Sequence, residues 1–305
     1  FQEDAGAGAP QFPMELLREL GELKRVRSAG REGSIAQRLF RSAWSRLAAG
    51  EAVEAVMRVT VADALAAARL GDLDASVLAA VGLTRNEVLD VRRRAVAEVS
   101  EGFDPQLRAL LALGLDASPP PDKDLAPRFV SLLERQPRAG VTCPGRPRLL
   151  LEPPEDHAEH CLMVAVYGVL LAPTYGAEPG TVFLASLAHH LHNALIPDSG
   201  FAGEVLLGDH LEPAFARATE RSMAELPETL AAVVRQARAI LPDAETAEGR
   251  AFHAADTLDR VLQIEQHLRA GKASMGYVLN DMALVHEGPV KEFQDRLLAD
   301  VGLAA

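Results

Sequence analysis

Proline is concentrated in one part of this 305-residue chain, and that concentration limits how the chain can fold. Nine of the 19 prolines lie between residues 117 and 155, three of them in the run 119–121. Proline fixes the backbone φ angle and lacks an amide hydrogen, so no continuous helix is expected to cross this segment. We therefore predict an N-terminal domain over residues 1–116, a proline-rich connector over 117–150 and a second domain over 151–305.

Outside the connector, the residue types favour helix. Alanine, leucine, arginine and glutamate dominate, and the alternation of β-branched residues that is typical of strands is rare. Thr84 followed by Glu87 is typical of a helix N-terminus, because each side chain can bond to the other residue's backbone amide. The sequence predicts an all-α protein with both domains helical. The expected helices span residues 13–29, 33–48, 51–58, 61–70, 74–81, 85–101, 104–113, 128–136, 155–172, 180–194, 212–224, 227–240, 246–271 and 288–301.

Charge divides the chain at the same place as proline. The chain has a net charge of −12, and residues 151–305 carry nearly all of the excess negative charge. Sequence-independent binding of nucleic acid requires cations that neutralise phosphates, so we expect no nucleic-acid partner. The longest apolar run, residues 161–172, is shorter than the roughly 18 residues of a membrane span, so we expect no membrane partner.

Cysteine content bears on the compartment. The two cysteines, Cys143 and Cys161, exclude a disulfide framework and an all-cysteine zinc site. Since neither cysteine pairing nor a visible export signal argues otherwise, we expect a cytoplasmic protein. The N-terminal helices are expected either to cover the second domain or to pair two copies of the chain as a homo-oligomer.

The histidines are confined to the C-terminal half, and all nine follow residue 156. The polar side chains that interrupt apolar helical segments there are His157, His160, His189, His190, His192, His253 and Asp256. Buried polar groups are costly without partners, and imidazole together with carboxylate suits Mn, Fe, Co, Ni or Zn. Three helices that each present such a group are explained by one shared metal ion. The alternative is a set of ordinary hydrogen-bonded core histidines.

The order of these residues resembles that of the HD-domain metal-dependent phosphohydrolase superfamily. That family has a histidine, then a His-Asp pair on the next core helix, then a distant aspartate. Here His160, the pair His189 and His190, and Asp256 follow in that order, and the resemblance covers residues 145–272. It implies an all-helical fold and a divalent transition metal (Mn, Co, Ni, Fe or Zn) held by these four residues.

The chain departs from the family pattern at His190, where the family has aspartate. A neutral imidazole removes a negatively charged ligand and shifts the preference of the site from hard to softer ions. The site is then either an active variant or a metal-free relic that is kept for packing, and the sequence leaves both open.

A segment after the histidine pair resembles the nucleotidase-like branch of the superfamily. Residues 204–209 resemble a Glu-x-x-x-Gly-Asp segment of that branch, in which the glutamate helps to activate water. The resemblance implies that Glu204 and Asp209 are catalytic. An alignment without a gap would place Asn193 and Asp198 at these positions instead.

The expected function follows from the same resemblance. In that branch a basic residue ahead of the first ligand holds phosphate, and Arg146 and Arg148 are the candidates here. The chain is expected to be a metal-dependent phosphohydrolase acting on a small phosphorylated substrate such as a nucleotide. One alternative is a catalytically degenerate HD-like signalling or scaffolding protein. A further alternative is an HD-type diiron oxygenase that would use His192, His210 and His253.

Overall fold

The computed structural model of the chain describes residues 13–116, 124–271 and 291–300. Within these residues the secondary structure is helical and, apart from isolated bridges, contains no β-strand. This confirms the predicted all-α class. The described residues up to Arg260 form one compact unit, and those from Val261 onward form a second.

The helices follow one another with short connections. The first half contains α1 (Met14–Gly21), α2 (Ile35–Ala48), α3 (Val53–Leu70), α4 (Ala75–Ala80), α5 (Arg85–Val99), α6 (Pro105–Ala112) and α7 (Arg128–Leu133). The second half contains α8 (His157–Tyr175), α9 (Pro179–Ala188), α10 (Gly200–Leu207), α11 (Leu211–Met223), α12 (Glu228–Ala237), α13 (Ala247–Ala270) and α14 (Lys291–Asp300).

Side-chain caps explain where several helices begin. Thr84 caps α5, and Glu87 bonds back to the Thr84 backbone amide, as the sequence predicts. Asp156 caps α8 through a matching pair of bonds with Glu159, which fixes the start of that helix. Each such cap stabilises a helix by about 1 kcal/mol.

Three predicted helix boundaries are wrong. The predicted helices 51–58 and 61–70 form the single helix α3, because Thr60 is buried and tertiary packing outweighs its low helix propensity. The predicted helix 180–194 ends at Ala188, with the histidine pair following in a turn. The segment expected to be a loop ahead of residue 204 instead begins the additional helix α10.

Helix α8 lies at the centre of the larger unit. It is long and apolar enough to cross a membrane by length and composition, but 83% of its apolar window is buried inside the protein. The helix is longer than the apolar run seen in the sequence because polar residues such as His157 continue it.

The N-terminal helices contact the same core. The Tyr167 hydroxyl on α8 donates to the Leu17 carbonyl oxygen at 2.5 Å, and Trp44 on α2 packs edge-on against Phe129 on α7. Whether the segments 1–116 and 151–305 fold as separate domains stays a prediction.

Candidate metal centre

Three helices of the larger unit bring the predicted ligands together. The cap at Asp156 places His160 in the first turn of α8, where its side chain is fully buried. Helix α9 ends at Ala188, so that His189 stands in the turn that leaves the helix. Helix α13 presents Asp256 toward both histidines.

The facing atoms of these side chains are close. His160 Nε2 lies 3.1 Å from His189 Nε2 and 3.2 Å from Asp256 Oδ1. His189 Nε2 lies 4.0 Å from the same Asp256 oxygen. A ring nitrogen of His190 joins those of His160 and His189 in a group whose members all lie within 4.8 Å of one another. Helix packing thus gathers all four predicted ligands.

Hydrogen bonds on the far side of each ring fix which nitrogen carries the proton. His160 Nδ1 donates to Asp259 Oδ2 at 2.7 Å, and His189 Nδ1 donates to the Ser186 carbonyl oxygen at 2.6 Å. His190 Nδ1 donates to Asn193 Oδ1 at 2.8 Å. Each Nε2 atom therefore keeps its lone pair. Histidines that bind metals are held by this kind of outer bond.

The convergence of lone pairs fits a cation. His160 Nε2, His189 Nε2 and Asp256 Oδ1 are all acceptors, and no donor lies among these three atoms to explain their separations of 3.1 to 4.0 Å. Imidazole nitrogen and carboxylate oxygen together suit a divalent transition metal, with three protein ligands being typical of a catalytic site. The residues present therefore fit the metal that the histidine pattern predicts.

Burial keeps these side chains in the protonation state that binds metal. Burial lowers the pKa of His189 well below its usual value, with the nearby His160 lowering it further, so the ring is neutral. Burial also lowers the pKa of His190, as does its neighbour His189. Burial alone would raise the pKa of Asp256, but its hydrogen bond to His160 holds that pKa below the usual value. Neutral imidazoles and a carboxylate are the ligand forms that metals require.

An arginine that the sequence interpretation missed lies on the other side of His190. Arg138 Nη1 is 3.4 Å from His190 Nε2, and the Arg138 backbone amide donates to the Glu155 carbonyl oxygen at 2.8 Å. The latter bond ties the proline-rich segment to the start of α8. In the sequence, Arg138 is one of several arginines ahead of His160, and no spacing distinguishes it from the others.

The alternative positions of the gapless alignment also lie beside the histidines. Asn193 holds His190, and Asp198 Oδ2 lies 3.5 Å from His157 Nε2. The same Asp198 oxygen accepts from the Ala139 amide at 2.9 Å. These contacts place Asn193 and Asp198 within the histidine cluster.

The four other predicted site residues are more scattered. Glu204 on α10 is half-buried, and burial together with the charge of Asp198 raises its pKa. Asp209 and Arg146 are exposed, and Arg148 donates to the carbonyl oxygens of Ala139 and Ser199. The structure thus brings Glu204 near the cluster, whereas the catalytic and phosphate-holding roles of all four residues stay predictions.

The histidines suggested for a second iron lie apart from the ligand group. His192 stacks on Phe215 with ring centres 4.0 Å apart, and His210 is exposed. The His253 ring lies against Phe252. Among the described residues, the ligand groups compact enough to hold a metal include none of these three histidines.

Protonation of His157 is expected to make the protein less stable in acid. Burial lowers the pKa of this histidine from 6.5 to about 4. Below pH 6.5 the unfolded chain takes up the proton while the folded protein resists it, so stability falls as the pH drops toward 4. We expect the free energy of unfolding to fall between pH 7 and pH 5 by about 2 kcal/mol more in the wild type than in His157→Gln. Urea denaturation of both proteins at the two pH values measures this difference, and equal losses would contradict it.

Comparisons with known proteins give one match. A family model described as HD domain matches residues 130–297 of the chain, which include the three histidines and Asp256. No curated protein sequence and no solved structure matches the chain.

Proposed function

We propose, from the premise that this chain belongs to the HD-domain family, that it is a metal-dependent phosphohydrolase acting on a small phosphate ester such as a nucleotide. One observation carries the proposal. Nε2 of His160, Nε2 of His189 and Oδ1 of Asp256 converge as acceptors, and outer hydrogen bonds orient both rings. Convergent, preoriented acceptors are what a metal-dependent hydrolase needs.

Each side chain has a distinct role in this proposal. His160, His189 and Asp256 hold the metal, with His190 as the adjacent fourth ligand. When bound, a divalent metal polarises a phosphoryl oxygen and lowers the pKa of a coordinated water. Glu204, whose pKa is raised by burial, would accept a proton from that water across the cluster.

Arg138 is the cation best placed to hold the phosphate of the substrate. Its guanidinium lies beside His190, whereas Arg146 is exposed and Arg148 is occupied with backbone carbonyl oxygens. A guanidinium offers paired N–H donors that match phosphate oxygens and stays charged at all working pH values. In the proposed site, the phosphate lies between Arg138 and the metal ligands.

The partners and the compartment are proposed on weaker grounds. The excess of acidic residues supports a small phosphorylated substrate bound through specific contacts rather than a nucleic-acid partner. The burial of helix α8 supports a protein without a membrane partner. We place its work in the cytoplasm, with the N-terminal helices as the interface of a homo-oligomer if one forms.

The second candidate function is that of a degenerate HD-like signalling or scaffolding protein. The contact between Arg138 and His190 favours it, because a guanidinium 3.4 Å from an imidazole nitrogen opposes a second cation there. Asn193 adds to this argument, since it holds His190 without supplying negative charge. Metal content separates the two candidates.

Elemental analysis is expected to find about one transition metal per chain in protein purified without a histidine tag. His189→Ala should lose the metal because it removes a converging lone pair, whereas His210→Ala, at an exposed histidine, should keep it. A phosphatase screen over nucleotides then tests the activity of the metal-loaded protein.

The other outcomes are equally informative. Absence of metal after incubation with Mn, Co, Ni, Fe or Zn would contradict the phosphohydrolase and support the scaffold. About two irons per chain would instead support the oxygenase, which uses a pair of metals.

A further inference from the structure

A buried lysine from the N-terminal half of the chain reaches the metal centre from behind. Lys24 is only 3% exposed and lies in the short turn Glu22–Lys24 that follows α1. Its position precedes the family match, which begins at residue 130. Lysine is almost never fully buried unless it is paired, so its partners indicate why it is there.

The partners of Lys24 are two buried carboxylates. The ammonium nitrogen lies 2.6 Å from Asp259 Oδ1 and also donates to Glu155 Oε1. Glu155 stands just ahead of α8, and Asp259 lies on α13, so the lysine joins the two helices that present His160 and Asp256. The three side chains carry one positive and two negative charges.

Asp259 connects this ion cluster to a metal ligand. While Asp259 Oδ1 accepts from Lys24, its other oxygen, Oδ2, accepts from His160 Nδ1 at 2.7 Å. One carboxylate therefore bridges the ammonium and the imidazole. The bond to Asp259 keeps the proton of His160 on Nδ1 and leaves Nε2 free to face the site.

Charge explains why the lysine is needed for this arrangement. Without it, the carboxylates of Glu155 and Asp259 would face each other in a buried space, and like charges repel strongly where water is excluded. The chain can relieve that repulsion by moving one of the carboxylates. A displaced Asp259 would no longer hold His160, whose ring could then turn or carry its proton on Nε2.

We propose that Lys24 is a positioning residue of the metal centre, which acts through Asp259 to fix the orientation and the tautomer of His160. The N-terminal segment is then a working part of the site and more than a cover or an interface. This inference rests on the proposed metal site, but the tautomer of His160 can be measured without metal.

Two measurements on the full-length chain test the proposal. Long-range ¹H–¹⁵N NMR of the metal-free protein reports the tautomer of His160, whose signals are assigned from their absence in His160→Gln. Titration with Mn²⁺ or Zn²⁺ gives the dissociation constant. The variants are Lys24→Met, Lys24→Gln, which retains a donor without the charge, and Arg46→Met. Arg46 is the matched control, because it is a buried cation that pairs with Glu51 instead of the cluster.

We expect wild type and Arg46→Met to show His160 protonated on Nδ1 alone. Both Lys24 variants should show a mixed or reversed tautomer and should bind metal about 10 to 100 times more weakly. A Lys24 variant that keeps the wild-type tautomer and affinity would overturn the proposal. Loss of folding in both Lys24 variants but not in Arg46→Met would also overturn it, since the role of the lysine would then be structural.

The proposal can fail separately from the proposed function. If the wild type binds no metal but the Lys24 variants alter the tautomer, the metal site fails and the positioning role stands. If the wild type binds metal and the Lys24 variants match it, the positioning role fails and the metal site stands.

Discussion

Replacing Asp256 with asparagine is expected to weaken metal binding by more than about 100-fold, which exceeds the effect of changing an outer partner. The substitution keeps the shape of the side chain but removes the one carboxylate that faces both His160 and His189. Phosphohydrolase activity should fall by at least about a thousandfold, since a bound metal supplies several kcal/mol of transition-state stabilisation. Isothermal titration with Mn²⁺ or Zn²⁺ and a phosphatase assay measure the two effects.

The control for this substitution is Asp243→Asn. Asp243 is exposed and caps the turn before α13 by accepting from the Glu245 amide, so it shares the residue type without the site. It should leave both metal affinity and activity unchanged. Retention of wild-type metal affinity by Asp256→Asn would show that the ion binds elsewhere or that the carboxylate is not a ligand.

Replacing Trp44 with alanine is expected to lower the free energy of unfolding by about 3 to 5 kcal/mol, the cost of deleting a large core side chain. Trp44 is fully buried on α2, and its ring lies 4.9 Å from that of Phe129 and 6.3 Å from that of Phe40. The substitution therefore empties the contact between the N-terminal helices and α7. Urea denaturation followed by circular dichroism measures the loss, since the variant lacks the chain's single tryptophan.

Trp44→Phe is the matched variant and should cost less. It keeps an aromatic ring against Phe129, and within the described residues the Trp44 indole nitrogen has no hydrogen bond to lose. A loss in Trp44→Ala no larger than in Trp44→Phe would contradict the packing argument.

The number of unfolding transitions tests the predicted domains. One transition is expected, because Tyr167 bonds to Leu17 and Trp44 packs on Phe129 across the predicted boundaries. Two transitions, with the second unaffected in Trp44→Ala, would support independent domains over residues 1–116 and 151–305.

The sequence alone determined the helical class and the main ligands. Helix propensity and capping depend on neighbouring residues, so Thr84 with Glu87 could be identified as a helix start without any tertiary information. His160 and Asp256 could likewise be singled out, because each is a polar residue in an apolar helical segment. These are local patterns, and the family match at residues 130–297 agrees with them.

The exact helix ends near the site were less predictable. The histidine pair continues an apolar helical pattern in the sequence, yet α9 ends at Ala188 and His189 caps it. The predicted loop before Glu204 became α10, which has no buried residue to give it a periodic pattern. Boundaries of this kind depend on packing rather than on local propensity.

Only the tertiary structure decided which charged residues surround the ligands. Lys24 is 131 positions from Glu155 and 235 from Asp259, and Arg138 is 52 from His190. An ion pair between distant segments leaves no periodicity or motif in a single sequence, because its geometry depends on how the helices pack. The chain's local chemistry therefore predicted the metal ligands, whereas long-range packing selected the cations that hold and flank them.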